Sequence, residues 1–478
     1  MAMTKHSSLD QRFKMICGTK PALILLVALL QPLFMVGAGT SAAADEHWPD
    51  RPLATTDPVA LPRFGPLTDD ELEMARIAWR YFENNHQPQS GLVNSTHNYP
   101  SVTLWDTASY LAGLIAAHSF GLVEDAEAEE RLRSVLSTLE HIQLFRNECP
   151  NKAYNTQTVQ LVNYVNQPAE IGCSAIDMGR MLIWLRIVQQ RYPQFEEVPN
   201  RIVRRWNFCG LVQEPGVTYG TALAEDGSVR YLQEGRLGYE EYAAKGFSLW
   251  GFDVSTALEP EPYETIWLYG VEVAYDSRDP RILGAHNYVV SESYALGGVE
   301  FGWDYFDGGQ IEDWLPRFAQ NIYTVQERRF EATGIVTART EHQLSEAPYF
   351  VYDTIFSNGR PWATMTEGGE FMPQLSAVAL KGALGLWALW DTPYTDMIFD
   401  LIKPQFDPEL GFYEGIFEEG GEPIRTQTSN NNGIMLETLL FKTEGPLLKD
   451  LTRVPTAWTQ GVDDSMAKAN CLPVPQVR

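Results

Sequence analysis

The stretch WDTASYLAGLIAAHSFGL, residues 105–122, decides the fold class. Its middle is apolar on almost every side, which predicts a helix that is buried all round. The helix before it is different, because Thr68 and Glu71 form a capping-box pattern and the apolar residues of 68–85 fall on one face. A helix with one solvent-exposed face is therefore followed by a helix with no solvent-exposed face.

The same alternation of amphipathic and apolar helices continues along the chain. Amphipathic helices are predicted over 125–143, 197–209, 311–329 and 394–402, and apolar helices over 174–190, 238–250, 347–356, 375–390 and 432–441. Two concentric rings require this order, because the inner ring is covered on all sides while the outer ring keeps one face in water. The sequence therefore predicts an all-α domain over residues 67–445, an (α/α)6 toroid or helical hairpin barrel, with β-hairpin decorations at 217–233 and 411–426. A generic all-α solenoid is the alternative.

The ends of the chain differ from this domain. Residues 1–44 carry basic residues, then an apolar run, then three alanines, which is the pattern of a cleavable signal peptide. An uncleaved anchor is the alternative reading of that run. Residues 45–66 are rich in proline and predict an extended strap, and residues 446–478 predict a C-terminal tail. We therefore expect a monomeric protein that is periplasmic or secreted and has no membrane contact after signal cleavage.

The charge of the chain restricts its partners. With 36 basic and 62 acidic residues, the net charge is −26 at pH 7. Such a chain repels phosphate backbones, so nucleic acid is not expected as a partner, and polyanionic sugars are disfavoured for the same reason. A neutral oligo- or polysaccharide suits this charge best. The sequence has no spacing typical of a metal site, and we expect neither a metal nor a cofactor.

Cys149 and Cys173 bracket the polar loop 150–172. Export permits disulfides, so we predict a bridge between these two residues. Buried free thiols are the alternative.

Polar and aromatic residues crowd the starts of the predicted buried helices. If the hairpins are short, the inner helices are parallel and their starts share one end of the toroid. Carboxyl groups facing one another there are suited to glycoside hydrolysis, and aromatic rings are suited to stacking on sugars. Each acid taken alone could equally be a helix cap. The candidates are Trp105, Asp106, Asp177, Arg180, Glu240, Glu241, Tyr242, Glu341, His342, Tyr349, Tyr352, Asp353, Asn430 and Asn431.

At these residues the sequence resembles a bacterial family of exported proteins known as domain of unknown function 3131. The family name carries no activity. The segments that carry the resemblance are 78–82, 105–110, 176–180, 337–341, 348–353 and 428–433.

A weaker resemblance extends to the endo-β-1,2-glucanases, some of which are labelled glucoamylases. It rests on Ile176-Asp177 and on the segment 238–242. The resemblance implies an inverting (α/α)6 enzyme with Glu241 as the general acid and Asp177 in the same cleft. The segment after Glu241 departs from the pattern of those enzymes.

The prediction is thus an inverting glycoside hydrolase acting on a neutral glucan or cell-surface polysaccharide. Glu241 is the predicted general acid, because the adjacent Glu240 and an apolar helix favour its protonated form. Asp177 is the predicted base, with Asp106 as the alternative base. Asp106, Arg180 and Asp353 would position sugar hydroxyls. Two other functions stay open. One is a non-catalytic protein of glycan binding or polysaccharide assembly, and the other is a polysaccharide lyase.

Overall fold

The computed structural model describes residues 60–213, 215–280, 287–304 and 314–451. The predicted signal peptide and most of the predicted strap and tail lie outside these residues. In the described part of the chain, none of the helices combines the length and the apolar character needed to cross a membrane.

Most of the described chain is organised around α-helices. Their bounds are α1 Asp69–Asn85, α2 Leu104–Ser119, α3 Asp125–His141, α4 Ala175–Arg191, α5 Glu197–Arg204, α6 Tyr239–Leu249, α7 Ser255–Leu258, α8 Glu292–Phe301, α9 Trp314–Thr333, α10 Leu380–Leu389, α11 Pro393–Ile402 and α12 Ser429–Glu444.

The even-numbered helices are buried over most or all of their length, and the longer odd-numbered helices keep one exposed face. Helix α2 contacts α4, α4 contacts α6, and the series continues through α8 and α10 to α12, which contacts α2 again. Each odd-numbered helix packs against an even-numbered neighbour, as α3 does against α2 and α11 against α10. The predicted alternation of exposed and buried helices is therefore present.

One predicted helix is wrong, and two observed helices, α7 and α8, were not predicted. Residues 347–356 form no helix, because Phe350–Asp353 is a strand in which burial alternates residue by residue. The missing inner helix is α8, which contains Gly297 and Gly298, residues that weaken a helix pattern. Gly298 is needed there because a side chain at this position would press on Leu389 of α10.

Short strands are more numerous than an all-α prediction allows. Those in the described residues form nine small antiparallel sheets, and the predicted hairpins are confirmed as the pairs β7–β8 and β19–β20. The strand bounds are β1 Ser101–Val102, β2 Leu144–Phe145, β3 Cys149–Pro150, β4 Tyr154–Asn155, β5 Val212–Gln213, β6 Val217–Thr218, β7 Gly220–Leu223, β8 Val229–Leu232, β9 Tyr263–Leu268, β10 Val271–Asp276, β11 His342–Gln343, β12 Phe350–Asp353, β13 Phe356–Ser357, β14 Arg360–Pro361, β15 Thr364–Thr366, β16 Ala377–Ala379, β17 Phe406–Asp407, β18 Gly411–Phe412, β19 Gly415–Phe417 and β20 Pro423–Ile424.

A buried charged cluster joins the inner helices. Arg180 of α4 donates to Glu437 of α12 at 3.1 Å, and its Nε lies 3.6 Å from Glu300 of α8. Tyr242 of α6 and Trp184 of α4 donate to Glu300 at 2.7 and 2.8 Å. Burial raises the pKa of both glutamates, and Glu300 raises that of Glu437 further. With one cation between two acids, the charged form of Glu437 is therefore disfavoured.

Replacing Arg180 by methionine should destabilise the protein strongly. The change leaves Glu300 without its cation in a site closed to water, and we expect a loss of about 3–5 kcal/mol in the free energy of unfolding. Urea denaturation followed by circular dichroism measures this loss. The matched control is Arg76→Met on the exposed face of α1, where the loss should stay within about 0.5 kcal/mol. Equal losses in the two variants would show that the cluster does not stabilise the ring.

The predicted disulfide between Cys149 and Cys173 is confirmed. Their Cα atoms lie 6.1 Å apart, and the bridge closes a loop with a sequence separation of 24 residues. The loop runs between α3 and α4 and contains the short strands β3 and β4.

Removing this bridge should lower stability through the unfolded chain, because a loop of this length gains conformational freedom. The double variant Cys149→Ala/Cys173→Ala is expected to lose about 3 kcal/mol in urea denaturation. Peptide mapping of the purified protein without reductant should recover the two cysteines in one linked peptide. Free thiols at both positions would contradict the bridge.

Candidate functional site

An aromatic row runs across the region where several inner helices begin. The ring of Trp105, at the start of α2, lies 6.0 Å from that of Tyr239, at the start of α6. Tyr239 lies 6.1 Å from Tyr288, which stacks on Tyr352 of β12 at 4.4 Å. Trp105, Tyr288 and Tyr352 are partly exposed. We call these four residues the aromatic row, and such rings offer flat apolar faces with a polar edge.

Asp177 lies in the first turn of α4 and is partly exposed. Ser174 caps the helix by accepting the Asp177 N–H at 3.1 Å, and the serine hydroxyl lies 3.2 Å from the aspartate carboxylate. Burial, together with the negative charges of Glu234 and Asp106, raises the pKa of Asp177 to about 7. The protonated form of Asp177 therefore persists to a much higher pH than that of an ordinary aspartate.

Asp106 stands at the start of α2, the helix that packs against α4. Its carboxylate accepts hydroxyl hydrogen bonds from Ser95 at 2.6 Å and Thr103 at 2.9 Å. Burial raises the pKa of Asp106, and those two hydroxyls, with Arg180, oppose the shift. The structure thus brings Asp106 and Asp177 close enough for their charges to interact, as predicted from the helix starts.

Glu234 is a third acid of this region, and sequence reasoning missed it. It lies between β8 and α6 and is partly exposed. Its Oε1 is 3.5 Å from the backbone nitrogen of Ile176, and its Oε2 is 3.5 Å from the Lys152 ammonium. A side chain at Gly220 would overlap this carboxylate. The glycine in the predicted hairpin was therefore the sequence feature that could have indicated a closely packed side chain there.

A second polar group lies at the other side of Tyr239. The Tyr239 hydroxyl donates to Glu341, and the Lys381 ammonium lies 4.0 Å from the same carboxylate. Lys381 also pairs with Glu292, which accepts a hydrogen bond from the Asn430 amide at 2.9 Å. Although burial opposes it, the Lys381 charge lowers the pKa of Glu292. Glu292 was not predicted because α8, which carries it, was missed, whereas Lys381 lies in the predicted helix α10 and was not singled out.

Glu241 and Glu240 are buried beneath the row. Glu241 accepts the backbone N–H of Gly238 at 2.6 Å and that of Glu261 at 3.0 Å, and it has no exposed surface. Glu240 accepts the Thr218 hydroxyl. Burial raises the pKa of each glutamate to about 8. Glu241 therefore caps α6 with one oxygen and holds the backbone of Glu261 with the other, and this geometry supports positioning of the helix start and not direct contact with a sugar.

Arg180 and Tyr242 lie against Trp105 in the protein interior, and Asn431 is buried in the first turn of α12. The Arg180 guanidinium is 4.6 Å from the centre of the Trp105 ring, on the side of the protein interior. Tyr242 and Asn431 are fully buried, and Tyr242 bonds to the charged cluster. Their contacts hold Trp105 and the helix starts in place.

Asp353 and His342 are buried, whereas Tyr349 lies at the surface. Asp353 is fully buried in an ion pair with Arg339 at 2.6 Å and accepts a backbone hydrogen bond at 2.8 Å. Burial lowers the pKa of His342 to about 3, so the ring is neutral. Tyr349 is 64% exposed on the turn between β11 and β12. Asp353 therefore does not reach the surface that a sugar would occupy.

Among the residues that the structure describes, no group of three or more His, Cys, Asp or Glu side chains is arranged to hold a metal ion.

Several solved structures share this fold at low sequence identity. An endo-β-1,2-glucanase from Chitinophaga pinensis, in complex with sophorotriose and glucose, has a TM-score of 0.56 and 13% identity, with 80% of this chain and 94% of the enzyme covered. A Bacteroides fragilis protein provisionally named a glucoamylase has a TM-score of 0.56, 14% identity and the same coverage of 80% and 94%. An endo-β-1,2-glucanase from Talaromyces funiculosus, in complex with sophorose, has a TM-score of 0.52 and 12% identity, with 85% and 93% covered.

At these identities the likeness shows a common fold and no more. No curated protein matches the chain in sequence. The model of one protein family does match, over residues 73–445 and thus over most of the chain. The chain therefore belongs to the DUF3131 family, which is described as a protein of unknown function.

Proposed function

We propose that this protein is a glycoside hydrolase that binds a neutral glucan, or a related cell-surface polysaccharide, along the aromatic row. The observation that carries the proposal is Asp177, a partly exposed acid with a pKa of about 7 at the start of α4. The helices that pack against α4 are α2 and α6, and Trp105 and Tyr239 lie at their starts. An acid that is still protonated at neutral pH is what a glycosidase needs in order to protonate a leaving group.

The architecture supports this proposal. We infer an (α/α)6 toroid, because the six even-numbered helices contact one another in a closed series and are the more deeply buried set. Solved structures with this fold include endo-β-1,2-glucanases in complex with sophorotriose or sophorose. A β-linked glucan is therefore the first class of substrate to test.

We assign the chemical roles from exposure and charge. Asp177 donates its proton to the glycosidic oxygen as the C1–O bond breaks. Asp106, which accepts two hydroxyl hydrogen bonds, takes a proton from the water that attacks C1 from the opposite face. This is the inverting reaction, for which carboxyl separations of about 6.5–9.5 Å are typical. Glu241 holds the start of α6, and the assignment of Glu241 as the acid stays a prediction.

The charge of the protein supports an uncharged substrate. Acidic groups surround Asp177, and the whole chain carries a net charge of −26, so a polyanion would be repelled. The aromatic row suits a sugar chain without charges, because its rings offer apolar faces. The signal-peptide pattern in residues 1–44 adds an extracytoplasmic location to the proposal, where such polymers are met.

The proposal is tested by incubating the mature protein with a panel of neutral glucans that includes β-1,2-glucan, and by following product anomers by NMR. Release of oligosaccharides with inverted anomeric configuration is the expected result. If the wild type binds glucans and cleaves none, the non-catalytic glycan-binding function replaces the hydrolase.

Asp177→Asn should nearly abolish hydrolysis while sugar binding is kept. The amide cannot donate the carboxyl proton, and loss of a general acid costs roughly 10²–10⁴-fold in turnover. The measurement is the initial rate on the best glucan of the panel, with isothermal titration for binding. Asp400→Asn, an exposed aspartate on α11, is the matched control and should keep the wild-type rate.

Glu241→Gln provides the contrast between the two candidate acids. Because Glu241 accepts two backbone N–H bonds, the variant should lose stability, and the folded fraction should retain turnover. A fully folded Glu241→Gln protein without activity, beside an active Asp177→Asn protein, would reverse the assignment.

The pH profile gives an independent expectation. A general acid must be protonated, so activity should fall as pH rises through about 7, the value for Asp177. The kcat/KM values are measured between pH 4 and 9. A descending limb far above pH 8 would assign the acid to a different group.

A further inference from the structure

Glu234 and Lys152 form an ion pair next to Asp177, and the proposed mechanism does not use it. We propose that Glu234, held against the start of α4, is a positioning residue whose negative charge acts on Asp177, and that Lys152 limits this effect. The inference rests on the proposed function only in taking Asp177 as the acid. The charges themselves are a property of the folded protein and can be tested without a substrate.

Two parts of the chain fix the position of the Glu234 carboxylate: the start of α4 and the glycine at position 220. Its Oε1 approaches the backbone nitrogen of Ile176 at 3.5 Å, in the first turn of α4, one residue before Asp177. A carboxylate is favoured at a helix N-terminus, because the first N–H groups have no partner within the helix. Gly220 leaves the room that this carboxylate occupies, since a Cβ at that position would overlap it. The acid is therefore held against the helix that carries Asp177.

Lys152 comes from the disulfide-bracketed loop. Its ammonium lies 3.5 Å from Glu234 Oε2, and both side chains keep about a fifth of their surface exposed, at 21% each. The Lys152 backbone N–H donates to Gly172 at 2.7 Å, directly before Cys173. The Cys173 N–H in turn donates to the side-chain hydroxyl of Thr221 of β7 at 2.8 Å, and the Thr221 N–H donates to the Cys173 carbonyl at 2.8 Å. The lysine and the glutamate are thus fixed on segments that are bonded to each other.

Four groups on other elements face Asp177. Glu234 precedes α6, Asp106 starts α2, and Lys152 and the Tyr164 hydroxyl come from the loop between α3 and α4. On its own helix, Ser174 bonds to the carboxylate. Two negative charges against one positive charge disfavour a third negative charge on Asp177, and burial acts in the same direction. Glu234 is the larger of the two acidic influences.

The inference requires opposite shifts in two variants. Glu234→Gln removes the repulsion, so the limb of the activity profile that falls with rising pH should move to lower pH by on the order of one unit. Lys152→Gln removes the attraction and should move the same limb to higher pH. Lys152→Arg keeps the charge and should restore the wild-type profile. Glu225→Gln, an exposed change on the β7–β8 turn, is the matched control and should leave the limb in place.

A stability measurement separates this inference from the proposed function. The pKa of Asp177 is higher in the folded protein than its ordinary value of 3.8, so this group makes folding less favourable as pH rises from about 4 to about 7. In Glu234→Gln that decline should be smaller, and in Asp177→Asn the Glu234→Gln change should no longer alter it. Urea denaturation of the two single variants, the double variant and the wild type, at pH 4 to 8, gives the comparison.

The outcomes are distinct. If the decline differs between wild type and Glu234→Gln only when Asp177 is present, the charge coupling is established, whether or not any glucan is cleaved. If the difference is the same in the Asp177→Asn background, or if both pH limbs shift in one direction, Glu234 does not act on Asp177 and the inference is overturned. Absence of hydrolysis together with an intact coupling would overturn the proposed hydrolase alone.

Discussion

The ion pair of Arg180 with Glu300 and Glu437 is the constraint on which the rest of the structure depends. A guanidinium without access to water is tolerated only when acids and hydrogen-bond acceptors surround it, and here they come from α8, α12 and α2. The same guanidinium lies under the Trp105 ring. The cluster therefore sets the position of the inner helices relative to one another and supports the first ring of the aromatic row.

This arrangement explains why acids at the helix starts are difficult to ionise. The inner helices are covered by other helices, so their starts are shielded from water, and each carboxylate placed there loses hydration. Asp177, Glu240 and Glu241 all have raised pKa values for that first reason. The three acids differ in their hydrogen-bond partners and in their exposure. Glu241 is saturated by backbone N–H groups, whereas Asp177 remains partly exposed, and only the latter combination leaves a proton available to a ligand.

Much of the fold could be predicted from the sequence because burial leaves a direct trace in it. Apolar runs such as that of α2 are recognisable without any partner, and the capping pattern of Thr68 and Glu71 is observed at the start of α1. Helix α8 could not be recognised, because its glycines serve contacts with α10 that local sequence does not show. The segment of Tyr352 was assigned to a helix because aromatic content indicates burial but not periodicity.

The site was harder to predict than the fold, because helix starts indicate where acids gather and not where each carboxylate points. Glu240 and Glu241 are adjacent, and the backbone N–H groups of Gly238 and Glu261 decide that Glu241 turns inward. Glu234 belongs to no helix start, yet a glycine on a neighbouring strand and a lysine from the disulfide loop place it beside Asp177. Both effects arise from contacts between segments distant in sequence. A sequence motif that contains an acid therefore identifies a region of the structure, and the hydrogen bonds of that acid decide whether it can reach a substrate.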